Sequence, residues 1–169
     1  MTIKTMTIKN RLSLAAAATL VAIPMAVQAN DTGLLTVTAQ VAPVCEIVTT
    51  EDVAFGTLTP STDNPATGSI NWQCTNGTSA EILLNGGAQG DPSAREMSGG
   101  GTNTLPYQLF TDSGLTNPWL NSEGTGVSVT GVGYQGGQAL SVYGLVTQAD
   151  AAAAFNTSYT DTVTVTIVF

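Results

Sequence analysis

The chain has 169 residues, with 4 basic, 12 acidic and no histidine, and three of the basic residues, Lys4, Lys9 and Arg11, lie at its start. A form beginning at Asn30 keeps Arg95 alone against twelve acids, a net charge of −11, which argues against nucleic acid and anionic membranes as partners. That form also has no lysine, so histidine general-base and lysine Schiff-base chemistry are excluded and the commonest metal ligand is missing; we expect no enzyme and no cofactor.

The apolar run from Leu12 to Val27 follows the three basic residues, contains Pro24 and ends in Val27-Gln28-Ala29. This is the pattern of a secretory signal peptide cleaved after Ala29. A membrane anchor needs about 20 predominantly apolar residues, more than the run supplies. The chain thus divides into a signal peptide at 1–29, a leading segment at 30–43 and a domain at 44–169, long enough to bury its own core.

Leu34 to Val41 reads as a half-buried strand, with Leu35, Val37, Ala39 and Val41 on one face at a period of two. The same pattern suits an ordinary first strand of a β-sandwich. Val44 to Val48 continues extended and carries Cys45. With Cys74 it forms an even pair in an exported chain, most simply one disulfide; a metal site would want more ligands and a redox pair a closer spacing. Val53-Ala54-Phe55-Gly56 is a short apolar run, and Thr59 to Gly68, with Pro60, Asp63, Asn64 and Pro65, reads as a loop.

Ser69 to Thr75 alternates cleanly and places Ile70, Trp72 and Cys74 inward; Ala80 to Asn85 is the next strand. The glycine-rich Gly86 to Gly90 resembles a phosphate cradle, but no lysine follows and no helix is signalled, so it reads as a plain connection. Ser98 to Thr104 is a glycine-rich surface loop. Leu105, Tyr107 and Leu109 form the buried face of a strand whose Pro106 places it at an edge or at its start. Trp119 suits either a plug at the end of a sandwich or a sugar-stacking platform. Gln138 to Thr147 is a longer strand, Gln148 to Ala154 the one helix-like run, and Tyr159 to Phe169 the closing strand, with Val163, Val165, Ile167 and Phe169 on one face.

No catalytic constellation stands out. Glu81 and Glu123 lack the supporting pattern of a glycosidase pair, and Asp63, Asp91 and Asp112 lack the alternate spacing of a calcium loop. Glycine and proline punctuate the chain about every 10 to 15 residues without an internal repeat, which is an all-β pattern.

Cys45, Phe55-Gly56, Gly68 to Gly77, Arg95-Glu96-Met97, Leu105 to Asp112, Val142-Tyr143-Gly144 and Tyr159 to Val165, in this order and spacing, resemble the spore coat protein U domain. In Gram-negative bacteria that family includes subunits of archaic chaperone-usher pili. The resemblance implies an incomplete immunoglobulin-like β-sandwich of about six strands, completed by a strand from a neighbouring subunit. On this reading 30–43 is the donor strand, with Leu35, Val37, Ala39 and Val41 as its buried face. Val163, Val165, Ile167 and Phe169 then form the acceptor strand, which a periplasmic chaperone holds by pairing and by the Phe169 carboxylate before an outer-membrane usher assembles the fibre. The implied function is a structural subunit of a cell-surface fimbria serving adhesion and biofilm formation. The alternative is a secreted coat or matrix protein of the same fold whose leading strand folds back into its own sandwich.

Overall fold

The structure, a computed structural model, describes residues 30–135 and 137–169. The chain divides into two units, Met1–Ala39 and Gln40–Phe169. In the first, residues 30–39 carry no secondary structure and are exposed.

The second unit is the sandwich. Its strands are β1 (Cys45–Glu51), β2 (Asn64–Cys74), β3 (Ser79–Leu84), β4 (Arg95–Ser98), β5 (Thr104–Phe110), β6 (Val127–Thr130), β7 (Gln138–Val146) and β8 (Val165–Val168). Five of them form one sheet in the order β1-β2-β7-β5-β4, and three form the other in the order β6-β3-β8; all named pairings are antiparallel. The expected all-β sandwich is therefore present, with a 3-10 turn at Gly87–Gln89 and, among the described residues, one short α-helix, α1 (Gln148–Ala153), where the alanine run lies. Thr147 caps that helix, its side chain accepting from the Asp150 amide at 3.2 Å.

Strand alternation sets the core. Ile70, Trp72 and Cys74 of β2, Val142 and Val146 of β7, Leu105, Tyr107 and Leu109 of β5, and Ile82 and Leu84 of β3 are all buried and pack together. Trp119 is fully buried, and its indole nitrogen donates to the Ile82 carbonyl at 2.9 Å, which fixes it as a core plug. The expected disulfide joins Cys45 and Cys74, directly opposite each other in the β1–β2 ladder.

Three local expectations change. The Thr59–Gly68 loop is shorter, because β2 already begins at Asn64. Asn64 closes the turn with its own side chain, accepting from the Thr59 amide at 2.7 Å and donating to the Thr62 carbonyl at 2.9 Å. Pro65 is tolerated because β1 pairs only with Ser69 to Cys74, leaving β2 paired on the β7 side alone at that level. Pro106 lies in an inner strand rather than an edge one, yet β7 pairs only with Gln108 to Phe110, so β5 is one-sided at the proline. The closing strand is split: Thr160 bridges to Ser98 of β4, and only Val165–Val168 joins a ladder, with β3.

Candidate binding groove

The closing segment passes from a bridge with β4 of the large sheet to a ladder with β3 of the small one, and an opening lies beside this path. β8 is the outer strand of its three-stranded sheet, with β3 on one side and no ladder on the other among the described residues. A groove of about 1210 Å³ reaches the start of β8 at Val165. Its floor is the buried surface of Ile70, Leu84, Leu105, Tyr107, Leu109 and Val142, and its two lips are residues 50–58 and 154–165.

The first lip exists because β1 leaves β2 after Glu51 and crosses the inner face of the large sheet. Gly68 and Gly144 make that crossing possible. A Cβ on Gly68 would come within 2.9 Å of Val53 Cγ2, and one on Gly144 within 2.9 Å of Phe55 Cζ. Val53 and Phe55 sit over these two glycines, half-buried, each with one side still toward the groove.

The second lip is held by Asp161. The Gly86 to Gly90 connection does cradle an anion, the chain's own: the Ala88 amide donates to Asp161 Oδ1 at 2.9 Å, and Gly87, at φ +65°, leaves the space the carboxylate fills. Asp161 Oδ2 accepts from the Tyr107 hydroxyl at 2.6 Å. Burial, reinforced by that bond, pushes the Tyr107 phenol well above its ordinary range. Phe55 meets Tyr107 edge-on, 6.3 Å between centroids at 68°. Phe55, Tyr107 and Asp161 thus form a transverse chain that links one lip to the other across the floor. Past Asp161, the Thr164 amide donates to Asn85 Oδ1 at 2.8 Å and leads into β8.

Behind the floor lies Arg95, 1% exposed. Its guanidinium donates to the carbonyls of Asn85 (3.0 Å), Pro92 (2.8 Å), Leu84 (2.9 Å) and Trp119 (2.8 Å) and to Gln108 Oε1 (2.6 Å). Burial lowers its affinity for the proton, partly offset by Tyr107 and Asp161. One side chain therefore ties β3, β5 and the loops before β4 and at Trp119 into a single body.

The residues singled out from the sequence fall into separate places. Ile70, Trp72, Leu105, Tyr107 and Leu109 are all buried. Val163, Val165 and Ile167 are half-buried, the first two lining the groove, while Phe169 is 58% exposed. Leu35 (88%), Val37 (84%) and Val41 (78%) are exposed, as is Ala39. Sequence reasoning missed Asp161 and the role of Arg95. The signal for Arg95 was available: a lone cation two residues before Met97, in a strand whose partner buries Leu105 and Tyr107 at the facing positions. Among the described residues no group of three His, Cys, Asp or Glu side chains could hold a metal ion, and no helix is long and apolar enough to cross a membrane.

The Spore Coat Protein U domain profile matches residues 31–166. Protein U of Myxococcus xanthus is 34% identical over 171 aligned positions, covering 91% of this chain and 93% of that protein. Among solved structures, a chain of the CsuC-CsuE chaperone-tip adhesion subunit pre-assembly complex, from the archaic chaperone-usher Csu pili of Acinetobacter baumannii, matches with a TM-score of 0.53 and 28% identity. The match covers 76% of this chain and 40% of that one, so this chain spans less than half the length of that relative.

Proposed function

The chain belongs to the Spore Coat Protein U domain family, and from that premise we propose that it is a structural subunit of an extracellular fimbria, assembled by the chaperone-usher route through donor-strand complementation. Residues 1–29 are its signal peptide, 30–43 its donor strand and 44–169 the receiving sandwich. Its partners are neighbouring copies or homologous subunits, a periplasmic chaperone and an outer-membrane usher, and its place is the surface of a Gram-negative cell, where it serves adhesion and biofilm formation. It has no catalytic role.

The observation that carries this reading is the groove that ends at the start of β8, apolar at its floor, together with a β8 that has no ladder on its outer side among the described residues. An open edge over an apolar trough is an aggregation hazard that natural proteins cover. Leu34 to Val41 supplies a cover of the right kind: eight residues, about 26 Å long at 3.3 Å each, with apolar side chains alternating on one face. Burying Leu35, Val37 and Val41 at roughly 1.5–3 kcal/mol each contributes on the order of 5–9 kcal/mol before ordering costs. A chaperone strand would hold the same groove before assembly, with the Phe169 carboxylate as its grip, as backbone capture of chain ends allows. The likeness to a chain of a chaperone–subunit complex supports that partner.

The second reading, a secreted coat or matrix protein whose leading strand returns to its own sandwich, has the 34% likeness to Protein U in its favour. Deleting Asn30 to Val41 and co-expressing the remainder with its chaperone tests the first reading. Donation between copies predicts a chaperone-bound subunit that does not polymerise alone but still accepts a strand from an intact copy. A truncated form that is a stable free monomer, needing neither chaperone nor added peptide, would sink the proposal.

A further inference from the structure

Trp72 in β2 and Gln138 at the start of β7 stand directly opposite each other in their ladder, so both side chains leave the same, inward face, two residues from the disulfide-bonded Cys74. Trp72 is 3% exposed, and its Nε1 is buried with no hydrogen-bond partner among the described residues. Gln138 Oε1 is buried and unpartnered in the same way. Among the described residues they are the two buried side-chain polar atoms left in that state, and they are of opposite kind: the indole nitrogen only donates and the amide oxygen only accepts. Trp119 shows the contrast, since its Nε1 is equally buried but bonded to the Ile82 carbonyl at 2.9 Å.

Unpaired buried polar atoms are rare in native proteins because each forfeits its hydration without return. Two of them on facing residues, a donor and an acceptor that do not bond to each other, call for one shared partner. A water molecule accepts from the indole and donates to the amide oxygen, and buried waters are typically held by two to four such contacts. We propose that one ordered water molecule is bound inside the sandwich between Trp72 Nε1 and Gln138 Oε1, joining β2 to β7 beside the disulfide.

The test uses the full-length, isotope-labelled chain, in which the indole protons of Trp72 and Trp119 are the two signals to compare. Water-selective NOE spectra should show a long-lived water cross-peak at Trp72 and none at Trp119. In Gln138→Met, of similar length but without the amide, that cross-peak should vanish and the urea midpoint should fall. Absence of the cross-peak in the unmodified chain overturns the site. So does its persistence in Gln138→Met, or a rise in that variant's midpoint, which is the sign expected when an orphaned acceptor is removed. If Gln138→Met does not fold, the spectrum of the unmodified chain decides alone.

Discussion

Replacing Arg95 with Met tests whether the fold depends on a buried cation or on the volume it fills. The guanidinium makes five hydrogen bonds, and two of its acceptors, the carbonyls of Leu84 and Trp119, are themselves buried. Removing the donor leaves those two short of a partner, at about 1–3 kcal/mol each. Against this, methionine does not carry the desolvation cost of a charge, several kcal/mol in a real protein. Charge-assisted bonds at roughly 1.5–3 kcal/mol each would, if additive, exceed the stability of many whole domains, so the bonds must share their effect. The two orphaned carbonyls together cost about 2–6 kcal/mol and relief of the desolvation cost takes part of that back, so the expected net loss is about 2–4 kcal/mol. Arg95→Lys should also lose more than about 2 kcal/mol, because a compact ammonium cannot reach acceptors spread around a planar fork. Urea unfolding of the full chain, followed by tryptophan fluorescence, reads both, with Trp119 reporting locally since its carbonyl is one of the acceptors. If Arg95→Met lies within about 1 kcal/mol of the unmodified chain, volume suffices and the hub argument fails.

Val37→Asp and Thr38→Asp differ only in which face of the leading strand they alter. The first should abolish polymer formation, through the loss of about 1.5–3 kcal/mol of apolar burial and the burial of an unpaired carboxylate, while the second leaves yield unchanged; equal yields would refute the assigned face. Cys74→Ser opens the bridge between residues 29 apart and should cost about 3–4 kcal/mol, or about 10 °C in Tm by calorimetry. An unchanged Tm would show that the bridge does not constrain the unfolded chain. The Tyr107 phenol has its folded pKa raised by burial and by Asp161, so the unfolded chain gives up this proton first. The stability it contributes is complete below about pH 10 and is lost as the pH rises toward the folded value. Urea midpoints measured on either side of about pH 10 should fall more steeply for the unmodified chain than for Tyr107→Phe, and parallel falls would contradict the assignment.

Much of the sandwich was legible because its strands are half-buried and alternate: the inward faces of β2 and β5 read directly from Ile70, Trp72, Leu105, Tyr107 and Leu109, while β7 read as a strand with no face assigned. What did not read was whatever depends on a partner distant in sequence. Asn64 looks like a loop residue until its side chain is seen closing a turn ahead of a strand. Pro65 and Pro106 argue against inner strands until pairing proves one-sided at each. The Gly86 to Gly90 connection has anion-cradle chemistry, but its anion is Asp161, 73 residues from Ala88, and no local pattern announces that. The groove was legible only as an implication of family resemblance, because no periodicity shows where a ladder stops.

The lips explain how such an opening persists without collapse. Neither is held by continuous strand pairing: the first rests on close packing of Val53 and Phe55 over Gly68 and Gly144, the second on the Asp161 carboxylate and a single bridge at Thr160. Phe55, Tyr107 and Asp161 span the gap, and the floor keeps Ile70, Leu105 and Leu109 nearly water-free while the outer side of β8 carries no ladder among the described residues. Under the proposed donation, the incoming strand then has two separate contributions to make. It adds a ladder to β8 and covers the half-exposed sides of Val53, Phe55, Val163 and Val165, without having to build a core that already exists. Because donor segment and groove are different surfaces of one chain, each joint leaves a free donor at one end and a free groove at the other, and growth proceeds by a heterologous contact that does not close on itself.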